Sequence, residues 1–164
     1  MATRGVAPLP PPRPHAASDE ATPNANGVAA QNLVRLALYA GQDAWRTQAD
    51  RLFDGLLPIA NENLFMHLTL LNALDLRLRA AEIVVAGSGA RAEALTAAAL
   101  RLPFLGRAVL RATSADALPQ SHPAQEKIKA SAEPAAFICV GERCSLPVTG
   151  ADKLLEAERA MRAA

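Results

Sequence analysis

Apolar positions change their spacing once along the chain, at about Ala81, and the change divides the sequence. Ahead of it the spacing is helical. In "GVAAQNLVRLALYA" Ala29, Leu33, Leu36, Ala37 and Ala40 recur at steps of one, three and four, which predicts a helix with Asn26 as N-cap and Gly41 as its stop. Asp43 then caps a second helix. Its stripe is Trp45, Ala49, Leu52, Phe53 and Leu56, and Pro58 is expected to end it. A connection as short as Gly41-Gln42 makes the two helices antiparallel neighbours, an αα-hairpin. A third helix is expected from Asn61 to Arg79 on Leu64, Leu68, Leu71 and Leu78, with Leu74 beside them. His67 adjoins that stripe without a second ligand at i, i+4 spacing, so it reads as a packed or surface side chain rather than half of a metal pair.

Beyond Ala81 short β-branched runs alternate with helical ones. "EIVVAG", "RAVLRAT" and "AAFICVG" read as strands, and "ARAEALTAAALR" as a helix. "AQEKIKASA", from Ala124 to Ala132, reads as a short exposed helix. "ADKLLEAERAMRA" closes the pattern as an amphipathic helix, with Leu154, Leu155, Ala157, Glu158 and Met161 along its buried edge. Alternation of this kind predicts right-handed β-α-β crossovers in a small parallel sheet. Before the helices, Pro10, Pro11, Pro12 and Pro14 exclude helix and favour an extended form. The expected organisation is therefore a proline-rich disordered leader over 1–23, helical hairpins over 24–80 and a small α/β subdomain over 81–164. The fold class is α+β.

Composition narrows the function classes. Hydrophobic residues make up 51% of the chain, but many are alanine and aromatics are only 4%, so packing must rely on leucine, valine and alanine. Lys+Arg 17 against Asp+Glu 16 leaves no basic excess for a nucleic-acid surface or a polybasic membrane patch. No apolar run has the length of a membrane span, and the start of the chain has no apolar signal-peptide core, which predicts a cytoplasmic protein.

Two stretches carry candidate chemistry. Gly87-Ser88-Gly89-Ala90-Arg91-Ala92 fits G-x-G-x-x-G/A between a strand and a helix. Glycines there let a backbone approach a pyrophosphate resting on a helix N-terminus. The acid that should end the next strand is late, at Asp116, and three strands are too few for two mononucleotide halves. The favoured reading is that Gly87 and Gly89 only turn the chain, with phosphate binding at Gly87, Ser88 and Gly89 as the functional alternative. Cys139 and Cys144 stand at C-x4-C spacing, unlike the C-x-x-C of a thioredoxin-type site. His122 is the one histidine nearby and no set of four metal ligands forms. So short a loop permits a disulfide, which leaves a redox pair open. The preferred reading is two thiols in a reducing cytosol, with Cys139 buried and Cys144 half exposed. No metal and no cofactor is implied.

"SDEATPNANGVAAQNLVRLALYAGQDAWRTQADRLF", "EIVVAG" and "FICVGERCSLPVT" occur in this order and at distances that resemble the C-terminal end of a known family. Its members carry a thioredoxin-like domain followed by an (α/α)6 toroid similar to six-hairpin glycosidases and N-acylglucosamine 2-epimerases. The spermatogenesis-associated thioredoxin-like protein of animals belongs to it. Of the family's D-G-A-x-P-S-x-N, Asp19, Ala21, Pro23 and Asn26 match, while Glu20 and Asn24 depart. Of its C-x4-C-x-x-P, Cys139, Cys144 and Pro147 match. The resemblance runs from about Arg13 onward and covers roughly the last quarter of a full-length member, without the thioredoxin-like domain and most of the toroid. It implies that the hairpins come from the end of a toroid and that Asp19 and Asn26 lie on a loop facing a sugar-like pocket. It further implies a truncated portion without catalytic activity alone, whose partners are the missing toroid portion or a second copy. The alternatives are a subunit completing a carbohydrate-processing toroid and a small phosphate-binding α/β module.

Overall fold

Asn24, not Asn26, starts the first helix. Its backbone is extended and its side-chain oxygen accepts from the amides of Asn26 (2.9 Å) and Gly27 (3.3 Å). Asn26 lies inside the first turn, so the expected cap is displaced by two residues. Helix α1 spans Ala25–Ala40 and ends at Gly41, left-handed at φ 62. Described in this computed structural model are residues 18–120 and 122–163. The prolines from Pro10 to Pro14, on which the disordered leader was expected, lie outside the described residues.

Helix α2, Asp43–Ala60, runs through Pro58 instead of stopping there. The proline lies exposed in the last turn, so it forfeits one backbone bond without driving its ring into packed side chains. The third helical segment opens as a 3-10 turn, Leu64–His67, and continues as α3, Leu68–Arg79. α1 packs against both α2 and α3. Their shared core is Ala30 and Val34 from α1, Phe53 and Leu56 from α2, and Leu70 and Leu76 from α3. Two expected stripes are thereby corrected. The inward face of α1 is Gly27, Ala30, Val34 and Ala37, while Ala29, Leu36 and Ala40 are exposed. On α3 the inward face is Leu70, Ala73 and Leu76, while Leu64, Leu68 and Leu78 point to solvent. Both helices are apolar on two sides, and the packed side is the one with smaller residues at the crossing. Arg77 also grips Asp50 of α2 through Nε and Nη2, at 2.8 and 3.0 Å.

The second half forms a four-stranded sheet in the order β2-β1-β3-β4, from β1 (Ala81–Ala86), β2 (Arg107–Ala112), β3 (Ala135–Val140) and β4 (Arg143–Cys144). Helix α4, Ala90–Arg101, connects the parallel pair β1 and β2. The sheet is not all parallel: β3 runs antiparallel to β1, with Ala86 opposite Ala135 and Glu82 opposite Cys139. The cause is the β2–β3 connection. Its helix α5, Gln125–Lys129, has 5 residues, about 7 Å of rise, against roughly 20 Å for a six-residue strand. The chain does not cross back to the entry end of the sheet, so β3 starts where β1 finishes.

Alternation along the strands gives each face of the sheet its own core. Ile83, Val85 and Ile138 meet Leu95 of α4 and Leu154 of α6, which spans Leu154–Ala163. Val84, Phe137 and Cys139 meet Leu118 and Ile128 from the β2–β3 connection. Gln125 and Ile128 are thus buried, and α5 is not the exposed helix its composition suggested. On α6 the buried Glu158 lies 3.3 Å from Arg162, whose guanidinium stacks on Phe104, 3.4 Å from the ring centroid. The architecture is α+β, and among the described residues no helix is long and apolar enough to cross a membrane.

Candidate functional site

Asp19 lies ahead of α1 and Asn26 in its first turn, and backbone amides occupy the Asp19 carboxylate. Asp19 Oδ1 accepts from the Asn24 amide at 2.8 Å and Oδ2 from the Thr69 amide at 2.7 Å, in the first turn of α3. Its own amide donates to the Met66 carbonyl at 2.6 Å. Burial raises the Asp19 pKa, but hydrogen bonds from Thr69 and Asn24 and the charge of His67 outweigh it and hold the carboxyl below its ordinary value. His67 is buried and its Nδ1 bonds the Asn63 carbonyl at 2.8 Å, which makes it packed rather than a surface residue.

The glycine turn follows β1 at the opposite end of the strand from Glu82. Gly87 and Gly89 have φ of 91 and 83, a region that other residues rarely adopt. A Cβ at Gly87 would also lie 3.0–3.1 Å from Pro134, which leads into β3. This glycine therefore admits the antiparallel strand beside the turn. A cleft of about 530 Å³ does open there, lined by Gly87, Ser88, Asp116, Lys129 and Glu133 among others. It faces two carboxylates against one ammonium, and that ammonium is bonded to Glu126 at 2.7 Å. Arg91, on the first turn of α4, is paired with Glu133. A phosphate would meet like charge on this rim.

The third candidate gathers the most chemistry. Gly141, at φ 60, opens a two-residue turn between β3 and β4, as in hairpins with glycine at the first turn position. The turn sets Cys139 opposite Cys144, and the structure joins them in a disulfide with a Cα–Cα distance of 4.0 Å. Two free thiols were the preferred reading of the spacing. The hairpin overturns it, because it brings residues five apart onto directly opposed positions of one face. On the same row of the sheet stands Glu82, opposite Cys139 on the other side. Its carboxylate lies 3.2 Å from His122 Nε2, with side chains 14% and 7% exposed respectively. His122 Nδ1 accepts from the Ala124 amide at 3.1 Å, so the neutral ring carries its proton on Nε2, toward Glu82. The approach lacks the alignment of a hydrogen bond, which leaves Nε2 buried and unsatisfied. A cleft of about 420 Å³ between the helical half and the sheet is lined by Glu82, His122, Cys139, Arg77 and Glu142, among others. Next to Cys144, the Lys127 ammonium donates to the Cys144 and Ser145 carbonyls at 2.5 and 2.9 Å.

The chain matches no family model, no curated protein and no solved structure. Among the described residues no group of three or more His, Cys, Asp or Glu is set to hold a metal ion. Of the three candidate regions the sequence marked, the structure brings none together with another. Sequence reasoning missed Glu82 as a partner of the cysteine pair. The available signal was a lone carboxylate inside the β-branched run "EIVVAG", a position that calls for a buried partner.

Proposed function

We propose that the chain is the C-terminal portion of a thioredoxin-domain-containing protein with an (α/α)6 six-hairpin toroid, and that it is catalytically inactive alone. One observation carries the reading: the helical half has a second apolar face that is exposed among the described residues. Leu64, Leu68 and Leu78 repeat at helical spacing on the outer side of the third helical segment, and Phe65 beside them is 85% exposed. A stripe of this kind marks an interaction surface, and a neighbouring hairpin of a toroid is a partner of the right shape. The bonding of Asp19 and Asn24 into the helix starts supports the inactive part of the proposal, since it commits the carboxylate nearest the expected pocket to structure.

The test is light scattering after size exclusion, on the chain alone and mixed with a full-length family member trimmed of its own last hairpins. The chain alone is expected to self-associate, and the trimmed protein to capture it as a one-to-one complex. Leu68→Glu with Leu78→Glu should abolish both while leaving the circular dichroism spectrum in place. A wild-type chain that stays monomeric at high concentration and ignores the trimmed protein would sink the proposal.

A further inference from the structure

The disulfide lies between a core and a polar cleft: Cys139 packs with Val84 and Phe137 and also lines the cleft, while Cys144 is only partly packed. Cys139 is 1% exposed, whereas Cys144 is half-buried at the rim of the hairpin. Of the two residues Cys144 is the more open to an attacking thiolate. The charges are asymmetric in the same sense. The Lys127 ammonium is held at the Cys144 backbone carbonyl, whereas Cys139 is buried opposite Glu82 in the sheet register. The cleft also holds an unsatisfied polar atom, His122 Nε2, on a side chain more than nine-tenths buried. His122 is held by the Ala124 amide at Nδ1 and faces Glu82 at Nε2, and it lines the same cleft as Cys139, which puts a proton carrier in that cleft.

We propose that Cys139–Cys144 is a redox-active disulfide that exchanges with a dithiol reductant, with Cys144 as the entry sulfur and Cys139 as the leaving one. This is independent of the toroid reading. In the first step a thiolate of the dithiol attacks Cys144 Sγ. The Cys139–Cys144 bond breaks and its electron pair leaves on Cys139 Sγ, which is protonated in the cleft. In the second step the reductant's other thiolate attacks its own sulfur in the mixed disulfide and expels Cys144 as thiolate. The dithiol is oxidised to a disulfide, the protein disulfide is reduced to two thiols, and the two protons given up by the dithiol end on the two cysteines.

The experiment counts thiols on the air-oxidised full chain during treatment with dithiothreitol, with far-ultraviolet circular dichroism followed on the same sample. Expected is the appearance of both thiols while the spectrum is retained, and their loss again on adding oxidised glutathione. Single variants then assign the sulfurs. In Cys139→Ser the remaining Cys144 should form a mixed disulfide with oxidised glutathione at least about tenfold faster than Cys139 does in Cys144→Ser. Thiols that appear only as the chain unfolds would make the bridge a staple and overturn the proposal. So would two free thiols in the air-oxidised chain, or equal rates in the two variants.

Discussion

One carboxylate, that of Asp19, serves two helix starts. It receives the Asn24 amide ahead of α1 and the Thr69 amide in the first turn of α3, where a negative charge also meets the positive end of the helix dipole. Burial opposes the charged form, and the bonds from Thr69 and Asn24 with the nearby His67 overcome it, so the folded pKa is lowered from 3.8. A lowered carboxyl contributes stability that is fully present above the unfolded value and is lost as pH falls through the folded one. Asp19→Asn should therefore cost about 1 kcal/mol at neutral pH, a capping-sized effect discounted for partial exposure. The gap between variant and wild type should shrink on acidification below about pH 4. Urea unfolding midpoints at both pH values check this. A difference that is the same at both would mean the charge plays no part.

Between elements, contact distance decides more than propensity, and two glycines of the helical half show it. A Cβ at Gly27 of α1 would lie 2.8 Å from Thr69 Cγ2 and 2.9 Å from backbone atoms of Thr69 and Leu70, at the crossing with α3. A Cβ at Gly55 of α2 would meet nothing within 4 Å. Alanine gains about 1 kcal/mol of helix propensity at either site. Gly55→Ala should accordingly stabilise the chain, while Gly27→Ala should destabilise it by about 1–3 kcal/mol, since backbone cannot swing aside. Thermal unfolding of the pair is the check, and stabilisation by both would mean that α1 and α3 do not approach so closely. The same helices explain what the sequence could not tell. Periodicity announces that α3 has an apolar face, but Leu64-Leu68-Leu78 and Leu70-Ala73-Leu76 are both such faces, and only the small residues of the crossing helix select between them. The parallel β1–β2 unit was legible from two β-branched runs around a helix. The direction of β3 was not, because it depends on how far the five-residue α5 carries the chain. At the candidate site the C-x4-C spacing pointed to a short loop. The glycine that makes this loop a hairpin, Gly141, and the antiparallel register that sets Glu82 beside Cys139 belong to pairing between strands, which no local spacing encodes.

Across the molecule the cores differ in kind. The sheet is packed on both faces, by Leu95 and Leu154 on one side and by Leu118 and Ile128 on the other. The helical half has one core, of which Ala30, Ala49, Ala60 and Ala73 are four of the nine buried members. Alanine removes little apolar area from water, at about 25 cal/mol per Å². The outer leucines that could add to it, Leu64, Leu68 and Leu78, are unpacked. Local stability follows packed apolar contact, so α1 to α3 should open before the sheet does. Hydrogen exchange read by mass spectrometry should show the interior amides of α1 and α3 exchanging at least about tenfold faster than those of β1 and β3, a gap of about 1.4 kcal/mol. Covering the leucine face should close that gap, because a bound neighbour stabilises the form it binds. The same measurement at rising protein concentration, where self-association covers the face, would then show protection growing in α3 and not in β1. Equal exchange in both halves at low concentration would mean that the helices need no neighbour, and the case for a missing hairpin would lose its physical basis.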